Sequence, residues 1–258
     1  MPRYFIHMAY DGSGYHGWQV QPNGKTVQEV MEHALSTLLN QEIRVTGAGR
    51  TDTGVHASFF IAHFETQPQG KPGREPGFPD PEDKQFIFKL NRFLPGDVVV
   101  YMIREVPPDL HARFSATYRT YHYHISTVKP LFTRNYTHYL HGPLDLEEIN
   151  RCCEIIIQTT DFTSFSKIHT DVKTNNCHVM KADWRAEENG YLFEIRADRF
   201  LRNMVRSLVG TLLDVGQGKL DHNDFRAIAE AKDRAKAGQS APAHGLFLVD
   251  IGYEEFPE

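Results

Sequence analysis

The sequence predicts an α+β protein built as two similar halves. Three observations carry that prediction. Short segments show the two-residue period of a half-buried strand, other segments show the 3.6-residue period of an amphipathic helix, and the order of the two recurs after Pro107-Pro108. A chain of 258 residues is long enough for one or two hydrophobic cores. No short-period repeat marks a solenoid.

From Arg3 to Tyr10 the residues Tyr4, Ile6, Met8 and Tyr10 alternate with others, and Asp11-Gly12 ends the run, which predicts a strand and a turn. Thr26 stands three residues before Glu29, the spacing of a capping box. Val27, Val30, Met31, Ala34, Leu35 and Leu38 follow at helical intervals, so a helix is expected to about Leu39. Two strand-type runs, 42–48 and 57–65, flank the polar, glycine-containing segment 49–56. Residues 67–81 are rich in Pro and Gly and read as a long surface loop carrying Lys71 and Arg74. A strand pattern over 98–106 ends at Pro107-Pro108, neither of which can donate to a ladder. The domain border is therefore placed between 1–106 and 107–258.

The second half opens with a strand pattern over 117–125, then a helix begun by Asp145 with Glu148 three residues on. Strand patterns over 179–186 and 191–197 follow. A helix from about Phe200 to Val215 is closed by Gly216 and Gly218. A short helix after Asp221 and a last strand over 246–253 complete the order.

Charge and composition narrow the function. Lys and Arg number 28 against 33 Asp and Glu, a net charge of −5, which excludes a uniformly basic nucleic-acid coat but leaves room for a local basic groove. No window approaches the ~18 apolar residues of a membrane span, and the N-terminus has no apolar signal region. The reading is a cytoplasmic protein with no membrane attachment. Three cysteines, Cys152, Cys153 and Cys177, form no CxxC pair and are expected to be buried, idle thiols. Fourteen histidines raise a metal hypothesis, because His122 and His124 share a strand face and His138 and His141 follow. No HExxH, CxxC or carboxylate at ligand spacing accompanies them, so no metal is expected.

The densest chemical cluster is Gly49-Arg50-Thr51-Asp52-Thr53-Gly54-Val55-His56-Ala57. Two glycines permit close backbone approach around one carboxylate, one guanidinium and two hydroxyls. Its composition is also that of an Asp-capped surface turn.

The run GRTDTGVHA resembles the catalytic motif of the TruA family of pseudouridine synthases, and further blocks agree in order. They are Tyr10-Asp11-Gly12, Gly17-Trp18-Gln19, Gln21-Pro22-Asn23, Thr26-Val27-Gln28, Leu94-Pro95, Ala112-Arg113-Phe114-Ser115-Ala116, and Arg119 with Tyr121 and Tyr123. Asp161-Phe162-Thr163-Ser164-Phe165, Phe200 to Arg206, and Ala241-Pro242-Ala243 with Gly245-Leu246 continue the series. The resemblance spans residues 10 to about 246. The chain departs from the usual pattern at Thr53, Thr120, His122 and His124.

The resemblance implies two α/β halves with mainly antiparallel sheets and a catalytic cleft between them, the N-terminal one carrying the Asp loop. It implies conversion of uridine to pseudouridine in the anticodon stem-loop of tRNA, at positions 38 to 40, without cofactor or metal, by a homodimer. Asp52 would be the catalytic carboxylate, able to attack the sugar, attack the base or remove a sugar proton. A carboxylate under a base needs a cation to stay ionised, and the resemblance pairs Arg206 with it. In the expected helix Arg202 and Arg206 lie four apart on one face, and four arginines against one aspartate between 196 and 206 make a local basic patch.

Arg119, Tyr121 and Tyr123 share a strand face. Tyr121 matches the family's base-stacking tyrosine, while Tyr123 equally suits a core stripe. Arg50 resembles the residue that assists base flipping, and His111, Arg113 and Phe114 fall in a segment like the family's RNA-contacting one. Lys167, His169, Lys71 and Arg74 are weaker candidates for phosphate contacts. Leu246 is a pocket wall or an ordinary core leucine. The rival reading is a noncatalytic RNA-binding module on the same fold.

Overall fold

The computed structural model describes residues 1–67, 80–167 and 173–254. Most of the Pro- and Gly-rich stretch, with Lys71 and Arg74, and the position of His169 lie outside the described residues. The fold is α+β, as the sequence predicts: five α-helices and nine strands are described. The chain divides into two compact units, one made of Met1–Thr117 with Val249–Glu258, the other of Tyr118–Leu248.

In the first unit β1 (Arg3–Tyr10) is the central strand. It is followed by α1 (Val27–Leu39), β2 (Val45–Gly47), β3 (His56–Glu65), α2 (Lys84–Phe93) and β4 (Val98–Val106). Strand β1 pairs antiparallel with β3, Arg3 facing Glu65, and with β4, Arg3 facing Val106. Tyr4, Ile6, Met8 and Tyr10 are buried as their alternation predicts, and Phe5 is buried on the opposite face. Thr26 caps α1 by accepting the Glu29 amide at 3.3 Å.

Strand β2 is shorter than the run 42–48 predicts, because helix α1 captures the backbone around it. Ser36 accepts the amide of Ile43 at 2.9 Å, which holds that residue out of the ladder. Glu32 accepts the amide of Val45 at 3.0 Å, while Gln28 donates to its carbonyl at 3.0 Å. Helix α2 is not anticipated by the sequence reading. Asp83 caps it, and only Phe86 and Leu90 are buried, one narrow ridge four residues apart.

The second unit begins on β5 (Ala116–Ser126), whose first two residues belong to the first unit. The elements that follow are β6 (His138–Tyr139), α3 (Leu146–Gln158), β7 (Val179–Glu187), β8 (Gly190–Ala197), α4 (Met204–Gly216) and α5 (His222–Ala231). The last strand, β9 (Leu246–Tyr253), starts in this unit and finishes in the first. Strand β8 pairs antiparallel with β5, Tyr121 facing Ile195, and with β7, while β6 runs parallel to β5. Asp145 caps α3 through the Glu148 amide, and Asp221 with Asp224 forms a full capping box on α5.

Helix α4 starts at Met204, not near Phe200. Asn203 is left-handed, φ 64°, and its side-chain amide donates to Ser240 at 2.7 Å, so the helix cannot extend backward through it. Arg202 therefore precedes the helix, and the expected shared face of Arg202 and Arg206 does not exist. Helix α4 is buried almost all round. At Gly210 the backbone of Gln239 crosses so closely that a Cβ would sit 1.7 Å from its carbonyl oxygen. Cys152, Cys153 and Cys177 are buried and unbridged, and burial raises the pKa of each thiol. Among the described residues no helix is long and apolar enough to cross a membrane, and no cluster of three metal-ligating side chains occurs.

Candidate active site

The loop that joins β2 to β3 carries Arg50 and Asp52. It leaves the sheet where the Ala48 amide donates to Ile61 O at 2.8 Å. Arg50 is exposed and Asp52 is half-buried. The Val55 amide donates to Asp52 O at 3.1 Å, and Gly54, φ 77°, supplies the left-handed residue that this tight turn requires.

The neighbouring motif blocks form the bed under that loop. Tyr10 Oη and Thr51 Oγ1 are 2.9 Å apart in the interior. The Trp18 amide donates to Thr51 O at 3.3 Å, and the Gly54 amide donates to Tyr15 O at 3.3 Å. The two glycines of these blocks mark points of backbone contact. A Cβ on Gly12 would lie 2.0 Å from Val55 O, and one on Gly17, itself at φ 86°, would lie 2.3 Å from Thr51 O. Trp18 is buried and packs its ring 4.2 Å from that of Phe60 on β3. The carboxylate is thus carried on a loop fixed on both sides.

His56 closes the far end of the loop. Its Nδ1 stands 3.1 Å from the Gly12 amide and 3.0 Å from an Asp11 carboxylate oxygen. A bare Nδ1 serves Gly12, and a protonated one serves Asp11; either way Asp11-Gly12 is tied to the loop.

Also in the first unit, residues 110–115 lie against β3. The Ala112 amide donates to His63 Nδ1 at 3.1 Å, and the His63 and His111 rings meet edge-on at 4.6 Å. Arg113 and Phe114 are exposed, Phe114 to 76%. Burial, with the charge of Arg3 and the neighbouring His111, pushes the His63 pKa down to about 4. The unfolded chain binds that proton near pH 6.5. Between the two values the unfolded state therefore carries more protons, so the stability that neutral His63 confers is complete above about pH 6.5 and is lost as the pH falls toward about 4. Urea unfolding at pH 7 and pH 4.5 should show the native protein losing about 2 kcal/mol more than His63→Asn. Parallel losses in the two proteins would remove His63 as the cause.

In the second unit, Tyr121 is half-buried on β5 and its ring meets Phe200 edge-on at 5.1 Å. Two residues on, Tyr123 is fully buried and donates its hydroxyl to Pro242 O at 2.9 Å, so its core reading holds. Arg206, half-buried on α4, donates Nε–H to Ala241 O at 2.7 Å, while the Ala241 amide returns a bond to Arg206 O at 2.9 Å. Gly245 lies against the Tyr123 ring, where a Cβ would stand 2.9 Å away, and Leu246 beside it is buried. Segment 241–246 thus ties Arg206, Tyr123 and Leu246 into one neighbourhood. Arg202 is exposed outside the helix, and its carbonyl accepts the Lys167 amide at 3.0 Å.

The sequence reading missed Phe200 as the partner of Tyr121, and Ala241 as the anchor of Arg206. The Ala-Pro-Ala block was visible, but its role as a strap was not.

Residues 6–115 and 158–254 match the sequence model of the family described as tRNA pseudouridine synthase. The chain belongs to the tRNA pseudouridine synthase family. It is 53% identical over 254 residues to the tRNA pseudouridine synthase A of Bacteroides fragilis, covering 98% of this chain and 97% of that one. It is 52% identical over 259 residues to that of Bacteroides thetaiotaomicron, covering 99% and 92%. The similarity extends to Caldicellulosiruptor bescii, at 41% identity over 98% of this chain and all of its relative. As a tRNA pseudouridine synthase family member, the protein is an enzyme that makes pseudouridine in tRNA.

Proposed function

We propose that the protein isomerises uridine to pseudouridine at positions 38 to 40 of the tRNA anticodon arm, with Asp52 as the catalytic carboxylate. The observation that carries this reading is the loop of Asp52. Backbone contacts at Gly12 and Gly17 fix its position, and the family match runs through it. In the reaction the C1′–N1 bond breaks, the base turns, a C1′–C5 bond forms, and the C5 hydrogen leaves as a proton while N1 gains one. A fixed carboxylate suits attack on C1′, attack on the base or removal of a sugar proton, since all three need an anion held close to the sugar.

Arg206 is the cation paired with the carboxylate, its guanidinium oriented through Ala241 O. Tyr121 stacks on the extruded uracil, worth roughly 1 to 3 kcal/mol. Arg50, exposed two residues before Asp52, assists the flip, which costs a few kcal/mol. Leu246 walls the base pocket, and His111, Arg113, Phe114 and Arg202 contact the RNA. The active species is a cytoplasmic homodimer, which brings the basic residues of a chain with net charge −5 together on its polyanionic substrate.

The test is to map pseudouridine, by carbodiimide modification and primer extension, in unmodified tRNA treated with the protein. Stops one nucleotide 3′ to positions 38, 39 or 40 are expected; modification confined to other arms of the tRNA refutes the site assignment. Sedimentation of the active protein as a monomer refutes the dimer.

A further inference from the structure

We propose that His63 is a positioning residue for RNA binding: it fixes the direction in which Arg113 and Phe114 leave the sheet. The inference rests on the reading of those two residues as RNA contacts, and it concerns what lies beneath them. Segment 110–112 is suspended from the first unit by side chains on three strands. Arg3 on β1 donates to Leu110 O at 2.9 Å, Tyr253 on β9 donates to Ala112 O at 2.6 Å, and His63 on β3 accepts the Ala112 amide. Arg3 is in turn held by Glu65 through Nε at 3.1 Å. Ala112 is fully buried, so no water replaces His63 as the acceptor of its amide. A bare Nδ1 is therefore required, which places the ring proton on Nε2.

Beyond this anchor His111 repeats the device. Its Nδ1 accepts the amides of Arg113 at 3.0 Å and Phe114 at 3.2 Å, and its backbone is locked to Ser115 by two bonds of 2.9 Å. The His111 ring rests between the other two, 4.6 Å from His63 and 4.4 Å from Phe114. The Arg113 guanidinium stands 5.5 Å from the Phe114 centroid. A ring held out in solvent with a cation at its side offers a nucleobase a stacking face and a phosphate a partner. Its aim passes from His63 through Ala112 and the His111 ring to Phe114.

The experiment is steady-state tritium release from tRNA transcript labelled at uridine C5, with filter-binding Kd for the same transcript. His63→Phe keeps a ring but removes the acceptor. It should raise KM for tRNA about tenfold with kcat retained. His63→Asn, whose Oδ1 falls where Nδ1 stands, should restore KM to within about twofold. Tyr253→Phe, a smaller change in the same suspension, should raise KM about threefold and keeps the test decisive should His63→Phe misfold. Phe114→Ala and Arg113→Ala serve as the contact controls. If they raise KM while His63→Phe and Tyr253→Phe do not, the positioning role is overturned and the contact reading stands. If the two contact variants leave KM unchanged, the contact reading fails and the proposal falls with it. An Asn variant as impaired as the Phe variant overturns the acceptor role.

Discussion

Asp52→Asn is expected to bind tRNA within about threefold of the native Kd and to lose at least about a thousandfold in turnover. The substitution keeps the shape of the side chain and removes its charge. The loop that carries it is held by backbone contacts: Thr51 O to the Trp18 amide, Gly54 to Tyr15 O, and the turn closed by Val55. None of these uses the carboxylate, so the loop should keep its course and RNA affinity should survive. Turnover should not, because each proposed role of Asp52 needs the anion. Tritium release from 5-[³H]uridine-labelled tRNA reads the chemistry directly, since the C5 hydrogen departs once per product. Release by Asp52→Asn at a rate near the native one would falsify the assignment. Absence of release from the native protein itself, with tRNA bound, would promote the rival reading of a noncatalytic RNA-binding module.

Gly17→Ala is the second large effect, and it acts without touching a reacting group. Position 17 sits at φ 86°, where a Cβ is strained, and that Cβ would lie 2.3 Å from Thr51 O. Carbonyl 51 cannot yield alone, because it accepts the Trp18 amide and its residue is joined to Tyr10. The strain and the clash together should cost about 2 kcal/mol or more, lowering Tm by roughly 4 to 8 °C in a chain of this size. A displacement of Asp52 on the order of 1 Å should reduce kcat/KM about a hundredfold. Gly96→Ala is the control, because a Cβ there meets nothing within 4 Å. Should Gly17→Ala match Gly96→Ala in both Tm and kcat/KM, the backbone contact under the loop has no functional weight.

Elements whose residues are ordered by a single local rule were legible in the sequence. Strand β1 shows its alternation and α1 its stripe and cap, and the structure agrees to within a residue. Errors arose where a distant side chain decides a boundary. Ser36 takes the amide of Ile43 and shortens β2; Ser240 accepts from Asn203, and α4 starts four residues late. Helix α2 escaped notice because exposed Phe88 stands opposite the face on which Phe86, Leu90 and Phe93 recur, which blurs the stripe in the sequence.

The site followed the same division. The Asp52 motif and the blocks at 10–12 and 17–19 were readable as strings. That Gly12 and Gly17 are small because another stretch of backbone presses on them was not. His63 lies 49 residues from the amide it accepts, and nothing in its own strand distinguishes it from any half-polar position.

The ownership of the last strand has a consequence for synthesis on the ribosome. Residues 249–253 belong to the unit that the chain begins with, and Tyr253 sets its ring 5.4 Å from Phe5 and its hydroxyl on Ala112. The unit translated first is therefore the last to be completed. At about 5 to 20 residues per second, the intervening segment delays that completion by on the order of ten seconds. During this interval Phe5 and the backbone of Ala112 lack their C-terminal cover, so the first unit waits uncovered while the second is made. A stop codon before residue 249 would make that wait permanent.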